Sequence, residues 1–173
     1  MPEDVNRVWR ELTAIAGDTI TPITYINSLA AVKSFVGERG GAVCTSSNAE
    51  KVFQWALRQN EKILFLPDQH LGHNTALAYG IPEDEIIRWD FRRENGGHAP
   101  ETIQRATVIL WDGYCSVHQR FADWYIKDLR KKYPGIRIVA HPESPAAIIG
   151  AVDFAGSTAQ IIDYVKSSPR GSI

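Results

Sequence analysis

The amino-acid sequence predicts an α/β protein in which helices cover both faces of a parallel sheet, giving three layers. Two observations support this prediction. Short apolar runs typical of buried strands alternate with segments whose apolar residues recur at helical spacing. Each run leads through a polar loop into the next helix, as in parallel α/β folds. Right-handed crossovers place the carboxyl ends of such strands at one edge of the sheet, so the polar loops are expected to share that edge.

The elements are predicted in chain order from these patterns. Apolar residues at helical spacing over residues 6–15 predict an opening helix, which Gly17 ends. Four strand-and-helix pairs follow, with strands predicted over residues 20–26, 42–44, 62–66 and 107–110. The helices after the first two strands are predicted over residues 29–36 and 49–58. The helix after the third strand ends at Tyr79, and the helix after the fourth begins near Gln119. A looser stretch, residues 89–100, precedes the fourth strand.

An internal repeat adds to this pattern. Residues 136–144 resemble residues 20–28, because each segment is an Ile-rich strand that ends in a ring-bearing side chain, followed two positions later by a polar residue and then a serine. In both copies a short helix and a short strand follow. A hydroxyl-bearing helix cap comes next, at Thr45-Ser46 in the first copy and at Ser157-Thr158 in the second. The chain therefore contains a duplicated α/β module.

The length of the chain limits how complete the two copies can be. With 173 residues, of which 44% are hydrophobic, the chain can bury one core, or one complete core and part of another. The first copy runs through four predicted strands and the second through two. We therefore predict a complete α/β domain with an N-terminal helix at residues 1–115 and a partial second domain of the same kind at residues 116–173.

Charge and composition exclude several classes of partner. A net charge of -1 provides no basic field for nucleic acid, and no run of 18 apolar residues offers a membrane span. The acidic start, Met1-Pro2-Glu3-Asp4, lacks the basic end of a signal peptide. Two cysteines are too few for a disulfide scaffold and fit a reducing compartment. The cytoplasm is therefore the expected location.

Polar residues at predicted helix starts form the first group of candidate site residues. They are Asn27, Ser46 and the pair Ser157-Thr158. Free backbone N–H groups and the helix dipole attract carboxylates or phosphates at such positions. Each residue taken singly is explained as a helix cap. Several of them at one edge of the sheet favour a ligand with more than one carboxylate.

His141 and Glu143 form a second group at the end of a predicted strand. Side chains alternate along a strand, so these two point to the same side. A histidine beside a carboxylate can act as an acid/base pair, and a surface loop explains the two residues equally well. Tyr25 and Asn27 occupy the matching positions of the first copy, which favours a pocket shared between the copies.

Cys115 and His118 lie three residues apart in the loop after the fourth predicted strand. They could be a metal ligand and its partner, a nucleophile and its base, or two residues with no joint role. A cysteine hydrolase needs a third group that orients the base, and the spacing reveals none. The other thiol, Cys44, is predicted to be a buried core residue. The spacing of these residues leaves the alternatives open.

Asp68, His70 and His73 form a cluster in the loop after the third predicted strand. Clustered Asp and His side chains can bind a metal ion, but no matching ligand set occurs elsewhere in the sequence. A polar strand-end loop in which Asp68 orders the turn is favoured instead. No role is predicted for either histidine.

Six motifs occur along the chain in a characteristic order. They are residues 24–28, 44–49, 66–72, 115–118, 141–144 and 156–158. Together they closely resemble quinolinate synthase, an iron-sulfur enzyme of de novo NAD biosynthesis, over nearly the whole chain. Members of that family have three homologous α/β domains, each of which gives one Cys to a 4Fe-4S cluster with one open iron. They condense iminoaspartate with dihydroxyacetone phosphate to give quinolinate.

The resemblance implies roles for particular residues. Cys115 is implied as a cluster ligand, and the residues implied to line the substrate pocket are Tyr25, Asn27, Ser46, His141, Glu143 and Thr158. Tyr25 and Glu143 are implied as the proton-transfer residues. The chain corresponds to the middle domain and part of the next, so by itself it is expected to bind no stable cluster and to make no quinolinate. An enzyme that produces iminoaspartate is implied as a supplier of substrate.

A second hypothesis belongs to a different class of protein. In it, the chain is a cluster-free α/β module that binds a small dicarboxylate or phosphate without turnover. The converging helix starts support this hypothesis as well as the first one. The two hypotheses differ in whether Cys115 has a chemical role.

Overall fold

The fold was established from a computed structural model, which describes residues 2–173. Within these residues, five parallel strands form the main sheet in the order β2-β1-β3-β5-β4. The strands are β1 (Ile20–Tyr25), β2 (Ala42–Cys44), β3 (Lys62–Leu66), β4 (Ile86–Trp89) and β5 (Val108–Trp111). Because all their pairings are parallel, the carboxyl ends of the strands share one edge, as predicted.

Helices cover both faces of this sheet. They are α1 (Pro2–Ala16), α2 (Ala30–Glu38), α3 (Ala49–Gln59), α4 (Gln69–Tyr79) and α5 (Pro100–Arg105). Alternate side chains of β3 belong to different cores, since Leu64 and Leu66 pack with residues of α1, α2 and α5, whereas Ile63 and Phe65 pack with residues of α3 and α4. The three-layer α/β prediction is confirmed.

Strand β4 corrects the predicted strand count. Four strands were predicted before Cys115, and the structure has five, because Ile86–Trp89 pairs with β5. The strand is only four residues long, and its side chains alternate between buried Ile87 and Trp89 and an Arg88 side chain that is 65% exposed. Such a short edge strand leaves little apolar signal in the sequence. Gly96 packs on the ring of Trp89, where a Cβ atom would lie 2.4 Å from a ring carbon.

A second, smaller sheet follows in the chain. Helix α6 (Asp123–Lys132) precedes a two-stranded parallel sheet in which β6 pairs with β7. The remaining elements are β6 (Val139–Ala140), α7 (Ala146–Ile149), β7 (Phe154–Ala155) and α8 (Thr158–Ser167). These four elements occur in the same order as β1, α2, β2 and α3. The sheet of the second copy has two parallel strands, whereas that of the first copy has five. The duplicated module with an incomplete second copy is therefore confirmed.

Only one of the three predicted helix caps is correct. The N-caps of α2 and α3 are Leu29 and Asn48, so neither Asn27 nor Ser46 caps a helix. Both lie in strand-end loops, of which the loop after β2 has the predicted length and the loop after β1 is longer than predicted. Ser157 does cap α8, and it forms a reciprocal capping box with the residue three positions later.

The helices are short by membrane standards. The longest in residues 2–173 is α1, with 15 residues, whereas about 20 apolar residues are needed to cross a bilayer. Within the described part of the chain, no helix has the length and apolar character of a membrane span.

Candidate active site

The two copies of the module meet at a hydrogen bond between Tyr25 and Glu143. Tyr25 is the last residue of β1, and Glu143 lies in the loop between β6 and α7. The Tyr25 hydroxyl donates to Glu143 Oε2 over 3.3 Å. Both residues are buried, with 5% and 6% of their surfaces exposed. Two residues from the matching segments of the internal repeat are thus joined directly, although 118 residues separate them in the chain.

The surroundings of this pair keep the phenol protonated and the carboxyl ionised. Burial, and then the negative charge of Glu143, raises the pKa of Tyr25 to about 12, while a hydrogen bond with Ser46 opposes that rise. Burial alone would raise the pKa of Glu143. A hydrogen bond from His141 and the charges of His118 and His141 outweigh burial and hold that pKa below its usual value. Tyr25 is therefore a donor and Glu143 an acceptor at neutral pH.

The Nδ1 atom of His141 has two alternative hydrogen-bond partners, and both belong to Glu143. Its Nδ1 atom lies 3.2 Å from Glu143 Oε2 and 3.3 Å from the backbone nitrogen of the same residue. A protonated Nδ1 donates to the carboxylate, whereas an unprotonated Nδ1 accepts from the backbone N–H. The ring can gain or lose this proton without losing its contact with Glu143. This arrangement suits a group that transfers protons.

Asp68 positions the loop that contains Cys115. One carboxylate oxygen of this N-cap residue of α4 accepts from the Leu71 backbone N–H over 2.8 Å, and the other accepts from the Cys115 backbone N–H over 3.0 Å. Burial raises the pKa of Asp68 to about 6, with the bond from Leu71 opposing the rise. Asp68 orders its turn as predicted. Its contact with Cys115 was not predicted, because the two residues lie 47 positions apart.

Gly113 lets the Cys115 loop approach the neighbouring loop closely. A Cβ atom at this position would lie 2.5 Å from the Pro67 carbonyl oxygen, which belongs to the backbone and cannot move aside cheaply. Close by, the Gln69 backbone N–H donates to the Gly113 carbonyl over 2.8 Å. The loops after β3 and β5 are therefore held together by backbone contacts as well as by Asp68.

The Cys115 thiol lies beside two further side chains of types that can ligate a metal ion. Cys115, His118 and Glu143 each offer a donor atom, and these atoms all lie within 4.8 Å of one another. The imidazole of His118 also stacks on that of His141, with ring centroids 5.2 Å apart. Spacing in the sequence left the relation of Cys115 to His118 open, and the structure brings both residues to Glu143.

The thiols of the chain limit which iron-sulfur group it can hold. Fe–S clusters are bound mainly by several Cys thiolates. The sequence has two cysteines, and Cys44 is fully buried in the core, as predicted. Burial raises the pKa of Cys44 to about 12, which disfavours the thiolate that a cluster needs. Cys115 therefore fits one corner of a cluster, and this chain offers no second thiolate for another.

Asn74 forms hydrogen bonds that connect the loop containing His141 and Glu143 to the first copy of the module. From the middle of α4, its Nδ2 atom donates to the carbonyl oxygens of Pro142 and Ser144, each over 2.8 Å. This contact was not predicted, because an Asn within a helix carries no signal of a distant partner. Asn74 also lines a cavity of about 240 Å³ with Ser46 and Ser157.

Replacing Asn74 with Ala is expected to loosen the second copy of the module selectively. Two carbonyl groups would lose their donor, which costs roughly 1–3 kcal/mol for each group that stays unsatisfied. Amide hydrogen exchange should accelerate over residues 139–167 and change little in β1, β3 and β5. The exposed Gln54 of α3 offers a matched control, since Gln54→Ala should leave exchange unchanged in both regions. Uniform acceleration over the whole chain would contradict the tethering role.

The predicted site residues divide into two groups. Tyr25, Ser46, His141, Glu143 and Cys115 come together through the contacts described above. Asn27 is exposed in the loop between β1 and α2, and Thr158 is exposed at the start of α8. In residues 2–173, neither of these side chains makes a hydrogen bond within the protein, which leaves both groups available to a ligand.

His70 and His73 lie apart from this group. His73 pairs with Glu83 over 2.9 Å, and His70 lies against the ring of Tyr114. Burial lowers the pKa of His70, and the charges of His73 and Arg88 lower it further. Both histidines line a separate cavity of about 450 Å³.

Fold and site together define a class of protein, an α/β protein with a buried tyrosine–glutamate pair beside a thiol at the carboxyl edge of its sheet. Comparison with known families then makes the assignment specific. The family model described as "NadA: Quinolinate synthetase A protein" matches residues 1–173. The chain therefore belongs to the quinolinate synthetase A family, an enzyme family, which confirms the resemblance seen in its motifs.

Individual relatives agree with this assignment. A quinolinate synthase of Herpetosiphon aurantiacus is 50% identical over 175 residues, covering 99% of this chain and 47% of that protein. The quinolinate synthase of Corynebacterium glutamicum is 46% identical over 171 residues, covering 98% and 43%. That of Bacillus cereus strain B4264 is 48% identical over 170 residues, covering 98% and 46%. The chain spans about half the length of the curated relatives it matches.

Proposed function

We propose that this chain is a portion of a quinolinate synthase that condenses iminoaspartate with dihydroxyacetone phosphate to quinolinate, in the NAD biosynthesis of the cytoplasm. Residues 1–115 are one complete domain in this proposal, and residues 116–173 are part of a second. The observation that carries the proposal is the buried contact of Tyr25 with Glu143 next to the Cys115 thiol. The family assignment supports it independently.

Tyr25 and Glu143 transfer protons in this mechanism. When substrate is bound, the single O–H of Tyr25 turns away from Glu143 Oε2 and donates a hydrogen bond to a substrate oxygen on which negative charge develops. The Glu143 carboxylate accepts a proton from substrate carbon, and His141 shares that proton through its contact with Glu143 Oε2. Burial of the pair removes competing water, which strengthens each of these electrostatic interactions.

The remaining residues bind and orient the substrates. Asn27, Ser46 and Thr158 offer amide and hydroxyl groups to carboxylate and phosphate oxygens. Thr158 also lies at the start of α8, where free backbone N–H groups and the helix dipole attract anions. His141 adds a ring nitrogen beside the carboxylate of Glu143. An enzyme that produces iminoaspartate supplies one of the two substrates in this proposal.

Cys115 contributes one ligand of a 4Fe-4S cluster in the proposal, and the other thiolates come from outside the 173 residues. When bound, an iron with an open coordination position serves as a Lewis acid toward a substrate oxygen. Asp68 keeps the Cys115 backbone in place for this role. A chain with a single available thiolate is not expected to retain a cluster without the other ligands.

Anaerobic reconstitution with iron and sulfide tests the proposal. The 173-residue chain alone should show no stable thiolate-to-iron charge-transfer absorption and no quinolinate formation. A full-length protein that contains this chain should show both. If the full-length protein binds no cluster and forms no quinolinate, the proposal fails, and the alternative of a module that binds a dicarboxylate or phosphate without turnover gains support. A reconstituted, active 173-residue chain would overturn the predicted dependence on other thiolates.

A further inference from the structure

Asn74 of α4 contacts the backbone on both sides of Glu143. Its Nδ2 atom donates to the carbonyl oxygens of Pro142 and Ser144, which precede and follow Glu143 in the chain, each over 2.8 Å. We propose that Asn74 is a positioning residue for the reaction, because it holds the Glu143 carboxylate at the place from which it accepts a proton. The inference rests on the proposed function, since it concerns proton transfer by Glu143.

The side-chain amide of Asn74 has the two N–H groups that this contact needs. One N–H serves each carbonyl oxygen, so the donors of the amide are fully used. Within residues 2–173, neither carbonyl accepts a hydrogen bond from another donor. Glu143 and Ser144 are buried, with 6% and 2% of their surfaces exposed, so water is poorly placed to replace the amide at Ser144. The amide is therefore specific to this pair of carbonyl groups.

Residues 141–144 form a tight turn that moves as a unit. The Ser144 N–H donates to the His141 carbonyl over 2.9 Å, the bond that closes a four-residue β-turn. Inside the turn, the Glu143 N–H faces His141 Nδ1 over 3.3 Å. Because the turn is closed by its own bonds, a displacement of its carbonyl groups carries the Glu143 side chain with it. Asn74, which holds two of those carbonyl groups, thus controls where Glu143 lies.

Helix α4 is a rigid platform for this contact. Asp68 caps the helix and also accepts from the Cys115 backbone N–H over 3.0 Å. Asn74 lies further along the same helix and holds the turn 141–144. One element therefore sets the position of Glu143 relative to the Cys115 loop. The helix itself is anchored by four buried residues, Leu71, Gly72, Thr75 and Ala76.

Local structure does not explain an Asn at position 74. Asn is among the weaker helix formers, so helix propensity alone favours Ala there. In residues 2–173, the Asn74 side chain makes no hydrogen bond within α4, and both of its hydrogen bonds go to the turn 141–144. The distant contact is thus the physical reason for an amide at this position.

Steady-state kinetics of a full-length protein that contains this chain test the inference. Asn74→Ala should lower kcat for quinolinate formation about 10- to 100-fold, the scale of loss when a reacting group is misplaced by an ångström, and should change KM much less. Asn74→Asp has the shape of Asn without the N–H groups and should lose as much. Asn74→Gln keeps the donors and should recover part of the loss. The exposed Gln54 of α3 is the control, since Gln54→Ala should leave turnover unchanged.

A double-variant cycle separates positioning from a general structural role. If Asn74 acts through Glu143, Asn74→Ala should cost little further turnover once Glu143→Gln has removed the acid/base group. Fully additive losses overturn the inference, and so does a wild-type kcat in Asn74→Ala. The pair Asn74→Asp and Asn74→Gln decides the matter where Asn74→Ala does not fold, because equal kcat in these two variants also overturns it.

NMR of the 173-residue chain gives a readout that needs no turnover. Nuclear Overhauser contacts between the Tyr25 ring and the Glu143 side chain are expected in the wild type and in Gln54→Ala. They should be lost in Asn74→Ala and Asn74→Asp, and their persistence in both variants overturns the inference. A wild-type full-length protein that forms no quinolinate would instead contradict the proposed function, and the NMR comparison would still decide whether Asn74 positions Glu143.

Discussion

Replacing Glu143 with Gln is expected to lower the turnover number of a full-length protein that contains this chain by about 10²–10⁴-fold, the usual contribution of a positioned acid or base. Gln keeps the shape of Glu143 and still accepts a hydrogen bond from the Tyr25 hydroxyl. It cannot take up a proton or carry the charge that faces His141. Steady-state kinetics of quinolinate formation measure the effect, which should fall mainly on kcat rather than on KM.

A control on another surface of the chain separates this effect from general damage. Glu101 is exposed on α5, which packs on the opposite face of the sheet from α3 and α4, and Glu101→Gln should leave turnover unchanged. Circular dichroism of both variants should match the wild type. Turnover by Glu143→Gln at the wild-type rate would remove the acid/base role and leave Glu143 with a structural role only.

Replacing Phe65 with Ala is expected to lower the free energy of unfolding by about 3–5 kcal/mol, the cost typical of a large aromatic side chain removed from a core. Phe65 lies fully buried on the middle strand, β3, and its ring contacts that of Phe53, with centroids 5.5 Å apart. Gly72 of α4 packs closely on this ring, since a Cβ atom there would lie 2.7 Å from a ring carbon, so removing the ring leaves a cavity beside α4. Urea denaturation of the 173-residue chain measures the loss.

Leu77 provides the comparison for this prediction. It lies on α4 with 39% of its surface exposed, so Leu77→Ala should cost well below the Phe65→Ala value. Equal destabilisation by the two changes would show that the core between the main sheet and helices α3 and α4 does not depend on close packing around Phe65. A loss in Phe65→Ala that spares the elements after α6 would show that the two sheets unfold separately.

The strands that were predicted correctly share a physical property. In β3, alternate residues enter cores on opposite faces of the sheet, so every position is apolar and the run stands out in the sequence. Strand β4 lies at the edge and exposes Arg88, which breaks that run. The start of α3 was predicted correctly and that of α2 to within one residue, whereas Asn27 and Ser46 were wrong as cap residues. Asn27 and Ser46 are good capping residues by type, but the loops after β1 and β2 extend past them.

The residues of the candidate site were selected from the sequence, but most of the contacts between them were not predictable. Tyr25 and Glu143 were selected from the repeat and from the family motifs, and both lie in the site. Asp68 and Asn74 were not connected to it, because an Asp at a helix start and an Asn within a helix have ordinary local explanations. Neither residue type by itself indicates a hydrogen bond to a loop far away in the chain.

The sequence by itself determined the alternating elements, the parallel class of sheet, the repeat and the family, because periodicity and motifs are local properties of a chain. The tertiary structure alone decided which residues meet. The Tyr25 hydroxyl reaches Glu143 across 118 positions, and Asp68 reaches the Cys115 backbone across 47. Such contacts depend on how two sheets pack and where their loops close, and local periodicity does not encode that geometry. The meeting of Cys115 and His118 with Glu143 is the clearest product of that packing.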